Sequence, residues 1–470
     1  MSTNAESSTQ VSQRTEDLGT VPLGRLLISL SLPSIAGMVV MSLYNLIDTF
    51  WVGRLPHGTA AMAALTVLFP LQMVAGSLGM GAGVGVSSLA ARRFGARRLD
   101  EVGQVAGHAV LVPLIFGVLF GLVCHTIPGP LVRFFGAPPD VAPLAVEYLR
   151  AIAPGMPFLL SIMTLSGLFR GAGNTVLPMT MMIMSAVVNA ILAPFLIFGW
   201  HGFPELGISG AGLATAIAQL AGAMLAAAYL WSGKSGYHIA VRHLRLKADI
   251  LLDIGRVGLP AAAQGCVGSL VGLTFNTVLG GFGTQAVAAQ GLAHRIMMLI
   301  ISFIGGGVYQ GLLPVVAYSF GAQNYRRMWR AYRAAAVGTS TIAIFLAILT
   351  ISLTPQIVGL FTKDPELIKL SMLAFRLRVI TLFLVEPQMM GVASLQGMGR
   401  GLQAMMVTMV QQALLVIPAL FLLAHYGGVM WAFGAQPISD VLALIVTATI
   451  LVSVYRQYPP SLSAKRPLEA

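Results

Sequence analysis

A chain of 470 residues with 56% hydrophobic and only 9% charged residues cannot clothe a surface that faces water, because soluble domains carry roughly 25% charged side chains. Its solvent is lipid, which excludes ordinary soluble enzymes and binding modules. The net charge of +12 does not indicate a nucleic-acid partner, because the basic residues fall on one side of the membrane, as shown below.

In chain order, residues 1–24 are polar, lack the apolar run of a signal peptide and read as a disordered tail. Apolar stretches of about 20 residues, the length that crosses a bilayer, follow near 26–52, 61–90, 103–128, 145–168, 176–199 and 208–231. A hydrophilic linker at 232–251 separates them from a second set near 252–280, 284–315, 333–354, 369–395, 402–425 and 429–454, with a tail at 457–470. The reading is an all-α membrane protein with a six-helix lobe at 25–231 and another at 252–456.

Charged and polar residues inside these spans need a reason, since each costs several kcal/mol to insert. In the first span Tyr44, Asn45 and Asp48 share one helical face, and Pro33 lies fifteen residues before the acid, where a missing backbone donor can bend the helix. On position alone Asp48 reads equally as an ion-binding carboxylate and as a solvated aspartate near the outer mouth. The second span contributes Gln72 and the glycines Gly79, Gly81, Gly83 and Gly85, which fit close helix packing better than a nucleotide loop. Asn189 lies mid-span in the fifth stretch and can reach the first. Thr215, in the sixth, can line a site or bond its own helix. In the second half Gln264, Asn276, Gln290 and Gln411 suggest a wet interior, and His294-Arg295 reads equally as a contact to substrate or the other lobe and as a structural hydrogen bond. Glu386 precedes Pro387, and Asp440 follows Gln436-Pro437; each is a second titrating group or a charge that steadies broken backbone. The two cysteines, Cys124 and Cys266, support neither a disulfide framework nor a thiolate metal site.

With both termini placed in the cytoplasm, that side receives the clusters Arg92, Arg93, Arg97, Arg98 and Arg326, Arg327, Arg330, Arg333, while the other keeps only Arg54, Arg133 and Lys363. Such an excess marks the cytoplasmic face. The halves repeat at an offset of 226 or 227 residues: Leu32-Pro33 matches Leu259-Pro260, Phe94-Gly95-Ala96 matches Phe320-Gly321-Ala322, and Gly171 and Gly173 match Gly397 and Gly399. Six spans per half make the repeats parallel, and two such lobes around a central cavity are a transporter's plan. No metalloprotease helix, Walker loop or nucleophile elbow is present, so an enzyme or ATP-driven pump is not expected, and no cofactor is implied.

Pro33, Tyr44-Asn45-Leu46-Ile47-Asp48 with Trp51-Val52-Gly53, Phe94-Gly95-Ala96, the stretch Leu168 to Thr175, and Trp431 with Pro437-Ile438-Ser439-Asp440 resemble the MATE family of multidrug and toxic compound extrusion antiporters, closest to its DinF-like branch. The resemblance covers residues 20 to 455. It implies a V-shaped pair of bundles that exports amphipathic, often cationic, small organic compounds in exchange for protons or sodium. It places the coupling ion at Asp48, with Tyr44, Asn189 and Thr215 around it and Pro33 as the bending proline. Asn45, Gln72, Gln264, Asn276, Gln290, His294 and Glu386 are the cavity-lining candidates. Ala193 stands where many relatives carry a second aspartate. That departure disfavours sodium, which wants several charged oxygen ligands, and leaves protons as the expected ion. A monomer in the bacterial cytoplasmic membrane is expected. A flippase for lipid-linked cargo and a channel or receptor are the rival classes.

Overall fold

The computed structural model describes residues 13–56, 58–232, 235, 237, 241–359 and 365–463; the side chain of Asn45 lies outside the described residues. Twelve spans, α1 to α12, carry the fold. In the first half they are α1 (Leu23–Val52), α2 (Gly58–Gly95), α3 (Leu99–Thr126), α4 (Ala142–Gly171), α5 (Val176–Phe198) and α6 (Gly207–Trp231). In the second they are α7 (Ala248–Gly280), α8 (Thr284–Ile301 continuing to Gly321), α9 (Tyr325–Gly359), α10 (Pro365–Ile380 then Leu382–Gly397), α11 (Gly401–Ala432) and α12 (Ala435–Gln457). Eleven are each long and apolar enough to cross a membrane. The twelfth, α10, crosses as two stacked helices interrupted at Thr381. Among the described residues there is no strand.

The helices outrun the apolar stretches that mark them. α9 begins at Tyr325 rather than near 333, because Arg326, Arg327, Arg330 and Arg333 are good helix formers that extend it past the hydrocarbon. Hydropathy reports the thickness of the bilayer, and helix length is a separate quantity. Two spans contain π-helical turns, Ser302–Gly306 in α8 and Val410–Val416 in α11. In α10, Pro387 cannot donate to the carbonyl of Phe383; Ser340 Oγ of α9 donates to it instead, at 3.2 Å.

Hydrophobic cores define the shape. At the side remote from the termini, one core is built wholly from the first lobe (Val52 to Ala214) and another wholly from the second (Val271 to Ala435). At the termini side the cores mix: Leu26, Leu27 and Leu30 of α1 join the C-terminal lobe, and Ile250 and Ile254 of α7 join the N-terminal lobe. Val84, Val257 and Leu313 form a small core across the seam. The lobes therefore meet at the termini side and diverge toward the far side, a V built by two exchanged helix ends.

Polar contacts reinforce the closed end. Ser88 Oγ donates to the carbonyl of Gln396, and Arg93 pairs with Asp253 at 3.3 Å across the lobes. Residues 13–20, expected within a disordered tail, are helical instead. Leu18 is buried in the C-terminal core, and Arg327 donates to the carbonyls of Leu18 and Val21 at 2.9 and 2.6 Å. The linker is also docked. His108 Nε2 accepts the Lys247 backbone N–H at 2.8 Å, and Tyr237 donates its hydroxyl to the Leu168 carbonyl at 2.6 Å. Burial holds that phenol protonated, well above its ordinary pKa.

Candidate functional site

α1 carries Tyr44 and Asp48 one turn apart, so both point from one face into the N-terminal lobe. Asp48 is 8% exposed, and its Oδ1 is buried with no hydrogen-bond partner among the described residues. Tyr44 donates its hydroxyl to Thr215 Oγ1 of α6 at 3.2 Å, and Asn189 Nδ2 of α5 donates to the same oxygen at 3.2 Å. Thr215 thus accepts from two helices. Asn189 is fully buried, and its Oδ1 also has no partner. Three helices therefore converge on one polar cluster, in which two buried oxygens lack partners among the described residues. A buried acceptor without a donor is costly, and a proton or a small cation is the ligand that relieves it. Ala193, one turn beyond Asn189, is fully buried and adds no oxygen.

Tyr148 of α4 completes the chamber and was missed from the sequence. It is buried within electrostatic reach of Asp48 and Tyr44, and Gln72 Nε2 of α2 donates to its hydroxyl at 3.4 Å. In the sequence it sits between Glu147 and Arg150, which gives it the look of an interfacial residue. Gln72 is spent on this contact inside the lobe. Pro33 lies within α1, which runs through it without a break.

The C-terminal candidates are dispersed. Gln290 is buried, Asn276 and His294 are exposed, and Gln264 Oε1 accepts from Gln396 Nε2 at 3.4 Å. Glu386, expected at the cavity wall, is 0% exposed. Both its oxygens lack partners, and a carbon added at Gly305, in the π-turn of α8, would lie 2.6 Å from Oε2. Thr339 is beside it but spends its hydroxyl on Ala335 O at 2.9 Å.

Asp440 is the opposite case. Its carboxylate accepts from Thr381 at 2.8 Å, Gln411 at 2.9 Å and Gln436 at 3.0 Å, while Gln388 donates to its backbone carbonyl at 2.8 Å. These residues belong to α10, α11 and α12, the repeat counterparts of α4, α5 and α6. Asp48 therefore keeps a carboxylate oxygen without a partner among the described residues, whereas both oxygens of Asp440 are bonded. Asp440→Leu is expected to destabilise the protein by about 3–5 kcal/mol, because three buried donors lose their acceptor and nearby Arg378 loses its countercharge. Thermal unfolding in detergent with and without the substitution measures it.

With this geometry in view, the family model described as MatE matches residues 33–195 and 260–422. The chain belongs to the MATE family of multidrug efflux transporters. One matched segment falls in each lobe. The multidrug export protein MepA of Staphylococcus aureus (strain MSSA476) is 26% identical over 417 residues, 87% of this chain and 90% of MepA. A FAD transporter of Shewanella oneidensis is 27% identical over 436 residues, 90% of this chain and 92% of that protein. The fold is similar to the outward-facing conformation of a multidrug resistance MATE transporter, with a TM-score of 0.86, 28% identity, and coverage of 94% of this chain and 98% of that one. The protein is a multi-pass membrane transporter and not an enzyme.

Proposed function

We propose that this MATE transporter is a proton-coupled antiporter that exports small amphipathic compounds from a bacterial cytoplasm by alternating access. The observation that carries the reading is the buried, partnerless Asp48 Oδ1 beside Tyr44, Asn189 and Thr215. The basic excess puts the termini side in the cytoplasm, so the V opens outward. From that state Asp48 takes an external proton, its polar neighbours rearrange, α1 bends at Pro33, and cargo leaves. Isomerisation then exposes the site to the cytoplasm, where the proton departs and new cargo enters. Exchange is obligatory because a ligand shifts a two-state equilibrium only through its differential affinity for the two states.

Protons are favoured over sodium because Asp48 is the only carboxylate among these chamber residues, whereas a hard cation wants several oxygen ligands with charge among them. The test is uptake of a fluorescent organic cation by proteoliposomes under separately imposed pH and sodium gradients. A pH gradient is expected to drive accumulation and a sodium gradient is not; the reverse result overturns proton coupling. Ala193→Asp supplies the missing second carboxylate and is expected to confer sodium-driven uptake, together with stabilisation by sodium in thermal melts. A variant indifferent to sodium would count against this account of ion choice.

A further inference from the structure

The charge in the far half of the C-terminal lobe is not absorbed by this cycle. Arg295 on α8 and Arg376 and Arg378 on α10 all lie about 17–20 Å along their helices from the far end, at 1.5 Å per residue. The segments that carry them, Thr284–Ile301 and Pro365–Ile380, pack against each other. The three arginines thus sit at a similar depth along neighbouring helices, within spans where charged side chains face a protein interior or a water-filled cleft and not lipid.

Among the described residues none of the three forms an ion pair within 4.0 Å; the pairs present involve Arg93, Arg98 and Arg256, at the termini side. Asp440 is within electrostatic reach of Arg378, but its oxygens are already taken by Thr381, Gln411 and Gln436. The Nε atoms of Arg376 and Arg378 are buried and have no acceptor. Exposed His294, next to Arg295, adds a ring within reach of Arg378. The repeat accounts for Arg376, which answers Arg150 at an offset of 226, but not for the other two: at offsets of 226 and 227, Arg378 answers Ile152 and Ala151, and Arg295 answers Phe69 and Leu68.

We propose that Arg295, Arg376 and Arg378 form a binding site for an anionic group of the cargo. The transported compounds are then amphipathic zwitterions or anions bearing a carboxylate or phosphate. A guanidinium presents N–H donors in a planar fork that matches such groups, and two Nε donors here await an acceptor. This inference rests on the antiport reading for the path that brings cargo to the site.

The test uses two dyes that differ in one group, rhodamine B with its free carboxylate and rhodamine B ethyl ester. KM is measured for pH-driven uptake of each into proteoliposomes. The wild-type protein is expected to show a KM about tenfold lower for the free carboxylate, as for a charge-assisted hydrogen bond. In Arg295→Gln/Arg376→Gln the KM for the carboxylate dye rises to that of the ester, and Lys at both positions restores part of the difference. Equal KM values in the wild type, with both dyes still driven by pH, overturn the anion site and leave antiport standing. Absence of pH-driven uptake for both dyes overturns the antiport reading, and this inference falls with it. The wild-type comparison needs no variant, so a misfolded double mutant does not blunt the test.

Discussion

Asp48→Asn is expected to abolish drug-driven proton flux across liposomes, to below about 1% of wild type, while dye binding persists within a few-fold. The size follows from the thermodynamics of switching. A proton moves the two-state equilibrium only if some group binds it differently in the two states, and among the described residues of this chamber Asp48 is the only carboxylate. Asparagine keeps the shape and hydrogen-bonding capacity but does not titrate. Asp48→Glu retains the acid at the cost of an extra methylene in a site that is already 8% exposed, so partial flux is expected. Removing the hydroxyls at Tyr44 or Thr215 cuts the rate by roughly tenfold, the scale of one buried hydrogen bond. Undiminished exchange in Asp48→Asn would remove the aspartate from the mechanism.

How much of this was legible in the sequence depends on the range of the interaction. The spans, the repeat and the shared face of Tyr44 and Asp48 are local or periodic properties, and hydropathy and helical spacing read them directly. Asp48's lack of a partner depends on α5 and α6 as well as α1, so position alone left a solvated aspartate equally open. Tyr148 was invisible for the same reason: its neighbours Asp48, Tyr44 and Gln72 are all distant in sequence, Gln72 by 76 residues. Asp440 and Glu386 looked alike as buried acids next to prolines. Packing made one a fully bonded anchor and the other a carboxylate against Gly305. The N-terminal segment read as disordered because it is polar and has no apolar run, yet from residue 13 on it is docked by buried Leu18 and by Arg327 on the carbonyls of Leu18 and Val21.

Substituting leucine at Gly95 or at Gly321 shifts the protein out of the closed-at-the-termini state by roughly 5- to 150-fold in population, the equivalent of about 1–3 kcal/mol. The repeated Phe-Gly-Ala motif explains why. A β-carbon at Gly95 would fall inside the van der Waals envelope of the Tyr318 carbonyl, and one at Gly321 inside that of the Arg92 carbonyl. Each glycine of the repeat lies against the backbone of the other lobe, so the seam is closed by a reciprocal pair. The obstructing atoms are backbone on both sides and have no rotamer by which to yield, unlike a side-chain tip. Neither glycine has a positive φ; the requirement is for space and not for conformation. Separation of the lobes at this end is the available relief. Spin labels at Asp100 and Arg330, both exposed on the termini side of opposite lobes, in a background where Cys124 and Cys266 are replaced, report the lobe distance. A longer mean distance is expected in Gly95→Leu and in Gly321→Leu alike, since the repeat makes the two positions equivalent. An unchanged distance distribution in both would mean that the seam tolerates the added bulk and that the paired glycines do not set the closed state.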